Sequence, residues 1–181
     1  MSKIWKSRLA MNLLCPAYIS DKPDPIRMEL CKALHEQVRL QARLKMKVDG
    51  WCLLDSEVQI ETECLKGKTD DIYEDANGDL AAVEYVSSAV PNAYKYYDAA
   101  ISACCLRDYY GVNVSAWVVP RGGAKCKVPE TLIQSVRLRI KSEEFYRVLC
   151  LSDNERLEFA NPASGICAYL AHGSCRWNSH S

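Results

Sequence analysis

Two residues near the middle of the chain, Asn77-Gly78, constrain its local structure more than any others. Asn-Gly accepts the positive φ values of a tight hairpin turn, and β-prone segments flank it on both sides. Lys68 to Glu74 reads as the strand before the turn and Leu80 to Ser87 as the strand after it. Each strand carries an acid: Asp70 in Gly67-Lys68-Thr69-Asp70, and Glu84 in Ala81-Ala82-Val83-Glu84-Tyr85. The two are nearly equidistant from the turn, so antiparallel pairing sets them opposite each other. Facing carboxylates among apolar neighbours repel unless a cation joins them. Mg²⁺ or Mn²⁺ is the natural choice, since both favour oxygen ligands and retain waters for substrate. Glu84 also fits a solvent-facing position on an alternating strand, and the pattern leaves both readings open.

The elements around the hairpin follow from periodicity. Ile26, Leu30, Leu34, Val38 and Leu40 recur near helical spacing, which predicts a helix over 26–46 with Pro25 at its start and Gly50 beyond its end. Val58, Ile60, Thr62 and Cys64 alternate with polar residues as a further strand. Pro91 ends the sheet run, Tyr94 to Tyr110 reads as a helix closed by Gly111, and Val112 to Val119 as a β-branched strand. Pro129 opens a last helix over 130–149. The order is αβββαβ plus a C-terminal helix and an irregular tail. That predicts an α/β domain with a central mixed sheet flanked by helices. The whole chain, 1–181, reads as one domain, with 1–25 and 150–181 as an accessory cysteine-bearing subregion.

Composition narrows the function classes. With 23 basic and 23 acidic residues the net charge is zero, which argues against a non-specific polyanion binder but allows a local basic groove. The start of the chain lacks a signal-peptide pattern and no apolar run is long enough to span a bilayer, so the expected location is the cytoplasm. Ten cysteines are many for such a chain. They read as small core hydrophobes, above all Cys104 and Cys105, as ligands of a metal or iron–sulfur cluster, or as disulfides. His35, alone on its helix, reads as structural unless that helix packs beside the hairpin.

A helical His35-Glu36, then Gly67-x-x-Asp70, then Glu84 two residues before the position of a lysine, resembles the RecB-type nucleases of the PD-(D/E)XK superfamily. The similarity runs from about Met28 to Pro120 and is strongest to the exonucleases associated with CRISPR systems. The resemblance implies a restriction-endonuclease-like core and metal-dependent hydrolysis of phosphodiester bonds at DNA ends. It implies His35, Asp70, Glu84 and the Tyr85 carbonyl as ligands of Mg²⁺ or Mn²⁺. It also implies an iron–sulfur cluster on Cys15, in Leu14-Cys15-Pro16, with Cys167 and Cys175. Leu170 stands where a further cysteine is expected, and His172 is a substitute ligand. The partners implied are DNA that is single-stranded or has free ends and CRISPR integrase proteins; the sequence leaves both the monomer and an oligomer open. The chain departs from the family at Val86, where the catalytic lysine belongs, and at Asp98 and Ser102, where Gln and Tyr belong. Lys68 or Lys95 is the candidate replacement lysine. Tyr94, Tyr96 and Tyr97 are candidates for stacking bases, and Arg121, Lys125 and Lys127 for meeting phosphates. The alternative reading is a weakened or inactive nuclease-fold protein that binds DNA or acts as an adaptor. A third reading makes the chain a cysteine-dependent metal or redox protein on the same scaffold.

Overall fold

A computed structural model describes residues 3–16, 18, 25–122, 124–159 and 161. The elements run β1 (Ile4–Trp5), α1 (Lys6–Leu14), α2 (Pro25–Val48), β2 (Cys52–Glu61), β3 (Leu65–Glu74), β4 (Leu80–Val86), α3 (Ala93–Tyr110), β5 (Val114–Pro120) and β6 (Cys126–Lys127). The chain then continues through α4 (Glu130–Ile140), α5 (Glu143–Cys150), α6 (Asp153–Arg156) and a 3₁₀ turn at Leu157–Phe159. The α/β class and the mixed sheet expected from the sequence are present. No helix among the described residues is long and apolar enough to cross a membrane.

Six strands form one sheet. β3 pairs antiparallel with β4 across the hairpin, Asp71 opposite Val83 and Glu74 opposite Leu80. On its other edge β3 pairs antiparallel with β2. β4 and β5 are parallel, Glu84 opposite Val118, with α3 as the crossover. The short β1 pairs parallel with the start of β3, at Leu65 and Lys66. β1 and β4 therefore lie end to end along one edge of β3, leaving a gap beside residues 67–70.

Helices cover both faces. On one face α1 and α3 pack through Leu9, Leu13, Ala99, Ala100 and Ile101 onto Ile72, Ala82 and Val118. On the other, α2 lays Val38, Ala42 and Met46 over Tyr73, Ala81, Val83 and Tyr85. β4 is buried on both faces, as a central strand with parallel and antiparallel neighbours must be. Glu84 is 2% exposed, which removes the solvent-facing reading of that residue. Small residues, with Ala99, Ala100, Ala103 and Cys104 fully buried, let α3 approach its neighbours closely. Its C-terminus is capped by Gly111 at φ +69°, whose N–H donates to the Arg107 carbonyl.

Two expectations need correction. The single helix over 130–149 is two, α4 and α5, because Ser142 caps a new helix by accepting from the Phe145 N–H, and Phe145 turns into the core. The strand expected around Val58 begins at Cys52, as an exposed edge strand.

Arg107 donates two parallel hydrogen bonds to Glu130, at 2.6 and 2.7 Å, and a third to the Val114 carbonyl, joining α3, β5 and α4. The Arg107 guanidinium holds the Glu130 carboxyl down at about 2. A carboxyl depressed in the folded state adds stability above its unfolded pKa and loses it as pH falls through the folded value. Glu130→Gln should therefore destabilise at neutral pH and match the parent near pH 2, as read by thermal melts across that range.

Candidate active site

The site is built where β4 peels away from β3. The register that pairs Asp71 with Val83 brings Asp70 opposite Glu84 at the next step. There the ladder stops: the Tyr85 N–H donates to the Asp70 side chain (Oδ2, 2.9 Å). Strand alternation also breaks at this point. Thr69 donates to Glu84 on the α1–α3 face, while Asp71 accepts from Arg43 of α2 on the other. Residues two apart share a face in a regular strand, so β3 turns over at Asp70. Opposite it on β2, Glu57 has φ +54°, the strained left-handed region for a residue with a side chain.

α2 delivers His35, whose Nε2 lies 3.0 Å from Asp70 Oδ2. The condition set for His35 as a ligand candidate, a helix packed beside the hairpin, is met. The bond to Asp70 raises the His35 pKa, more than burial lowers it. Burial would raise the Asp70 carboxyl, yet His35 and the Tyr85 N–H hold it below its usual range. α2 is fixed by a separate buried bolt. Asp71 accepts from Arg43 Nε (2.8 Å) and Nη2 (2.6 Å) and from the hydroxyls of Tyr85 (2.7 Å) and Tyr73 (3.2 Å).

The cation joining the site is one that the sequence reading missed. Lys6, the first residue of α1, enters the gap between β1 and β4. Its Nζ lies 2.5 Å from Glu84 Oε1, 2.9 Å from Ser102 Oγ and 3.5 Å from Asp98 Oδ1. Lys6, Asp98 and Ser102 are all buried. Burial would lower the Lys6 ammonium, but Asp98 and Glu84 outweigh it and hold it above its ordinary value. Burial pushes Glu84 up to about 7, with Lys6 opposing and Asp70 and Asp98 adding to the rise. The signal was present in the sequence: Lys6 shares one helical stripe with Leu9, Ala10 and Leu13, a lysine in an apolar row. Gly67 makes the passage possible, since a Cβ there would stand 2.5 Å from the Lys6 Cβ.

Lys95 adds the second ammonium. It bonds Asp98 Oδ2 at 3.3 Å and lies over the Tyr94 ring at 5.4 Å. Burial would lower it, but Asp98, Glu84 and Asp70 raise it. Three carboxylates, Asp70, Glu84 and Asp98, thus face Lys6, Lys95 and His35. Asp98 and Ser102, two of the departures from the family pattern, are the groups that receive Lys6. Val86, the third, is buried in the core cluster.

A cleft of about 680 Å³ opens in front of these groups, lined by His35, Glu57, Tyr85, Val86, Tyr94 and Lys95 among others. Lys68 stands apart from both acids, tied to Glu57 at 3.1 Å. Tyr96 and Tyr97 pack against the core cluster. The Arg121 N–H is bonded to Ser88 on the cleft wall, with its side chain exposed. Lys125 pairs with Asp49 at 2.8 Å, beside a smaller cavity along the C-terminal half of α2, and Lys127 covers the Trp117 ring. Cys15 is buried and its Sγ accepts from the Asn161 N–H at 3.5 Å, while Cys167, Cys175, Leu170 and His172 lie outside the described residues. Burial pushes Cys104 up to about 11 and Cys105 to about 12, as suits core thiols. The described cysteines are free.

Carboxylate oxygens and an imidazole nitrogen are donors that Mg²⁺ or Mn²⁺ accepts, and here His35 Nε2 and Asp70 Oδ2 are bonded to each other at 3.0 Å. All three hydrogen bonds that Glu84 receives fall on Oε1; among the described residues none reaches Oε2. As folded here the site is closed on itself, and no three His, Cys, Asp or Glu side chains among the described residues converge to hold an ion. No protein-family model matches the sequence, and a search of curated proteins finds no match.

Removing one partner of a buried ion pair strands the other charge, at a cost of about 3–5 kcal/mol. Lys6→Met should lower the melting temperature sharply, and adding Glu84→Gln to it should recover part of the loss. Gly67→Ala should destabilise in the same way by displacing Lys6. Calorimetry on the three variants checks the order.

Proposed function

We propose that the chain is a divergent RecB-type nuclease with a restriction-endonuclease-like core, acting on phosphodiester bonds of DNA ends with Mg²⁺ or Mn²⁺. The observation that carries this reading is that His35 and Lys95 line one cleft, with Asp70 bonded to His35 and the charges of Glu84 and Asp70 acting on Lys95, four residues from four different elements. His35, Asp70, Glu84 through Oε2 and the Tyr85 carbonyl would hold the ion, which supplies a water of lowered pKa and neutralises charge on the scissile phosphate.

The protein's own groups do the rest. Asp70 is ionised and oriented by the Tyr85 N–H. Lys6 holds Glu84 by Oε1 and leaves Oε2 without a hydrogen bond among the described residues. Lys95 keeps its charge and is partly exposed at the cleft, so it can bind the phosphate and orient the nucleophile in place of the lysine missing at Val86. Tyr94, which lines the cleft beside it, would stack a terminal base. The iron–sulfur cluster on Cys15, with Cys167 and Cys175 from outside the described residues, stays part of this proposal. Integrase proteins remain the proposed partners.

One observation favours a second reading, a DNA-binding adaptor without catalysis: the 2.5 Å grip of Lys6 on Glu84 neutralises the acid that the reaction needs. Assays on end-labelled single-stranded DNA with Mn²⁺ separate the two. Cleavage by the wild type that falls by about 10²–10³-fold in Glu84→Gln, with DNA affinity kept, supports the nuclease. No cleavage by a wild type that still binds DNA ends leaves the adaptor reading. Iron analysis of anaerobically purified protein should find iron that is lost in Cys15→Ser. A colourless, iron-free sample would remove the cluster.

A further inference from the structure

Helix α2 buries one face on the sheet and leaves an apolar stripe on the opposite face. Ile26 is 75% exposed, Leu30 61%, Leu40 53%, Leu44 72% and Val48 86%, with Leu34 at 36%. At 100° per residue these six fall within about a third of the helix circumference. The positions Ile26, Leu30, Ala33, Gln37, Leu40 and Leu44 follow the alternating four- and three-residue steps of a coiled-coil seam. No charged residue stands among them. Gln37 is the one polar residue in the seam, and monomeric proteins rarely leave so long a row of large apolar side chains in water.

The seam reads the same from both ends. About a two-fold axis at residue 35, Ile26 meets Leu44, Leu30 meets Leu40, and Ala33 meets Gln37. A two-fold interface requires such self-complementarity, because one patch must pack against its own copy. Charge selects the same orientation. The four basic residues Arg39, Arg43, Lys45 and Lys47 occupy the C-terminal half of α2, while the N-terminal half carries Arg27, Glu29, Lys32 and Glu36 and is balanced. A parallel pair would set the two basic halves side by side, whereas an antiparallel pair sets each against a balanced half. The two helix dipoles also oppose each other in that arrangement.

We infer that the exposed face of α2 is an antiparallel homodimer interface, the occupant being α2 of a second copy of this chain. The inference is independent of what the cleft acts on. It leaves the cleft usable, because His35 and Arg43 lie toward the covered side of the same helix.

Sedimentation velocity or light scattering over a concentration series tests it on the full chain. The wild type should dimerise. Leu30→Glu and Leu40→Lys should each weaken pairing by on the order of 100-fold, since every dimer then buries two unpaired charges. An equimolar mixture of Leu30→Glu with Leu40→Lys should restore pairing, because the antiparallel register sets the introduced carboxylate of one copy against the introduced ammonium of the other. Unchanged circular dichroism and melting confirm that the variants are folded. A wild type that stays monomeric overturns the proposal, as does a dimer indifferent to both substitutions. A mixture that fails to pair overturns the antiparallel register.

Discussion

A buried ammonium gripping a buried carboxylate, Lys6 on Glu84, is the constraint around which this fold is arranged. Glu84 lies on the central strand of the sheet, paired with β5 and 2% exposed, where an isolated charge is costly. Its compensation arrives from a residue 78 positions earlier in the chain. The route explains features that look unrelated along the sequence: a two-residue strand that occupies only the start of one edge of β3, a helix whose first residue is a lysine, and a glycine at 67 with no room for a side chain. Buried pairs of this kind add little net stability but penalise every arrangement that separates them. Here the pair fixes where α1 begins and how far β4 can follow β3.

The opposite face of the sheet carries a counterpart. Asp71, one residue beyond Asp70, is satisfied by Arg43 and by two tyrosine hydroxyls. The turnover of β3 at Asp70 gives neighbouring acids different partners on α2, Arg43 for Asp71 and His35 for Asp70. Thr69, on the other side, goes to Glu84. The strain stored at Glu57 accompanies that turnover. His35 and Arg43 stand about two turns apart on α2, so the Asp71 bolt also sets the position of the imidazole.

Much of the architecture could be read from the residues. The Asn77-Gly78 turn, the strands it joins, α2, α3 with its Gly111 stop and the parallel β5 all follow from local periodicity and turn chemistry. The opposition of Asp70 and Glu84 followed from the turn alone. What the sequence concealed depends on contacts between distant segments. Lys6 meets partners 78 and 96 residues away, and its only local trace is a cation in the row of Leu9 and Leu13. The break in the last helix hung on a single serine hydroxyl. Asp98 and Ser102, read singly, are losses from a family pattern; together with Lys6 they form one network.

The distance along the chain between Lys6 and its partners has a consequence for folding order. As the polypeptide emerges from a ribosome, α1 exists long before Glu84 or Ser102 has been made. Its ammonium must stay hydrated, and its leucines uncovered, until the hairpin and α3 have docked. Loop closure over such spans is slow relative to hairpin formation. α1 is thus made before the hairpin and α3 but seats after them, and the Lys6–Glu84 network acquires its final charge balance only when that seam closes.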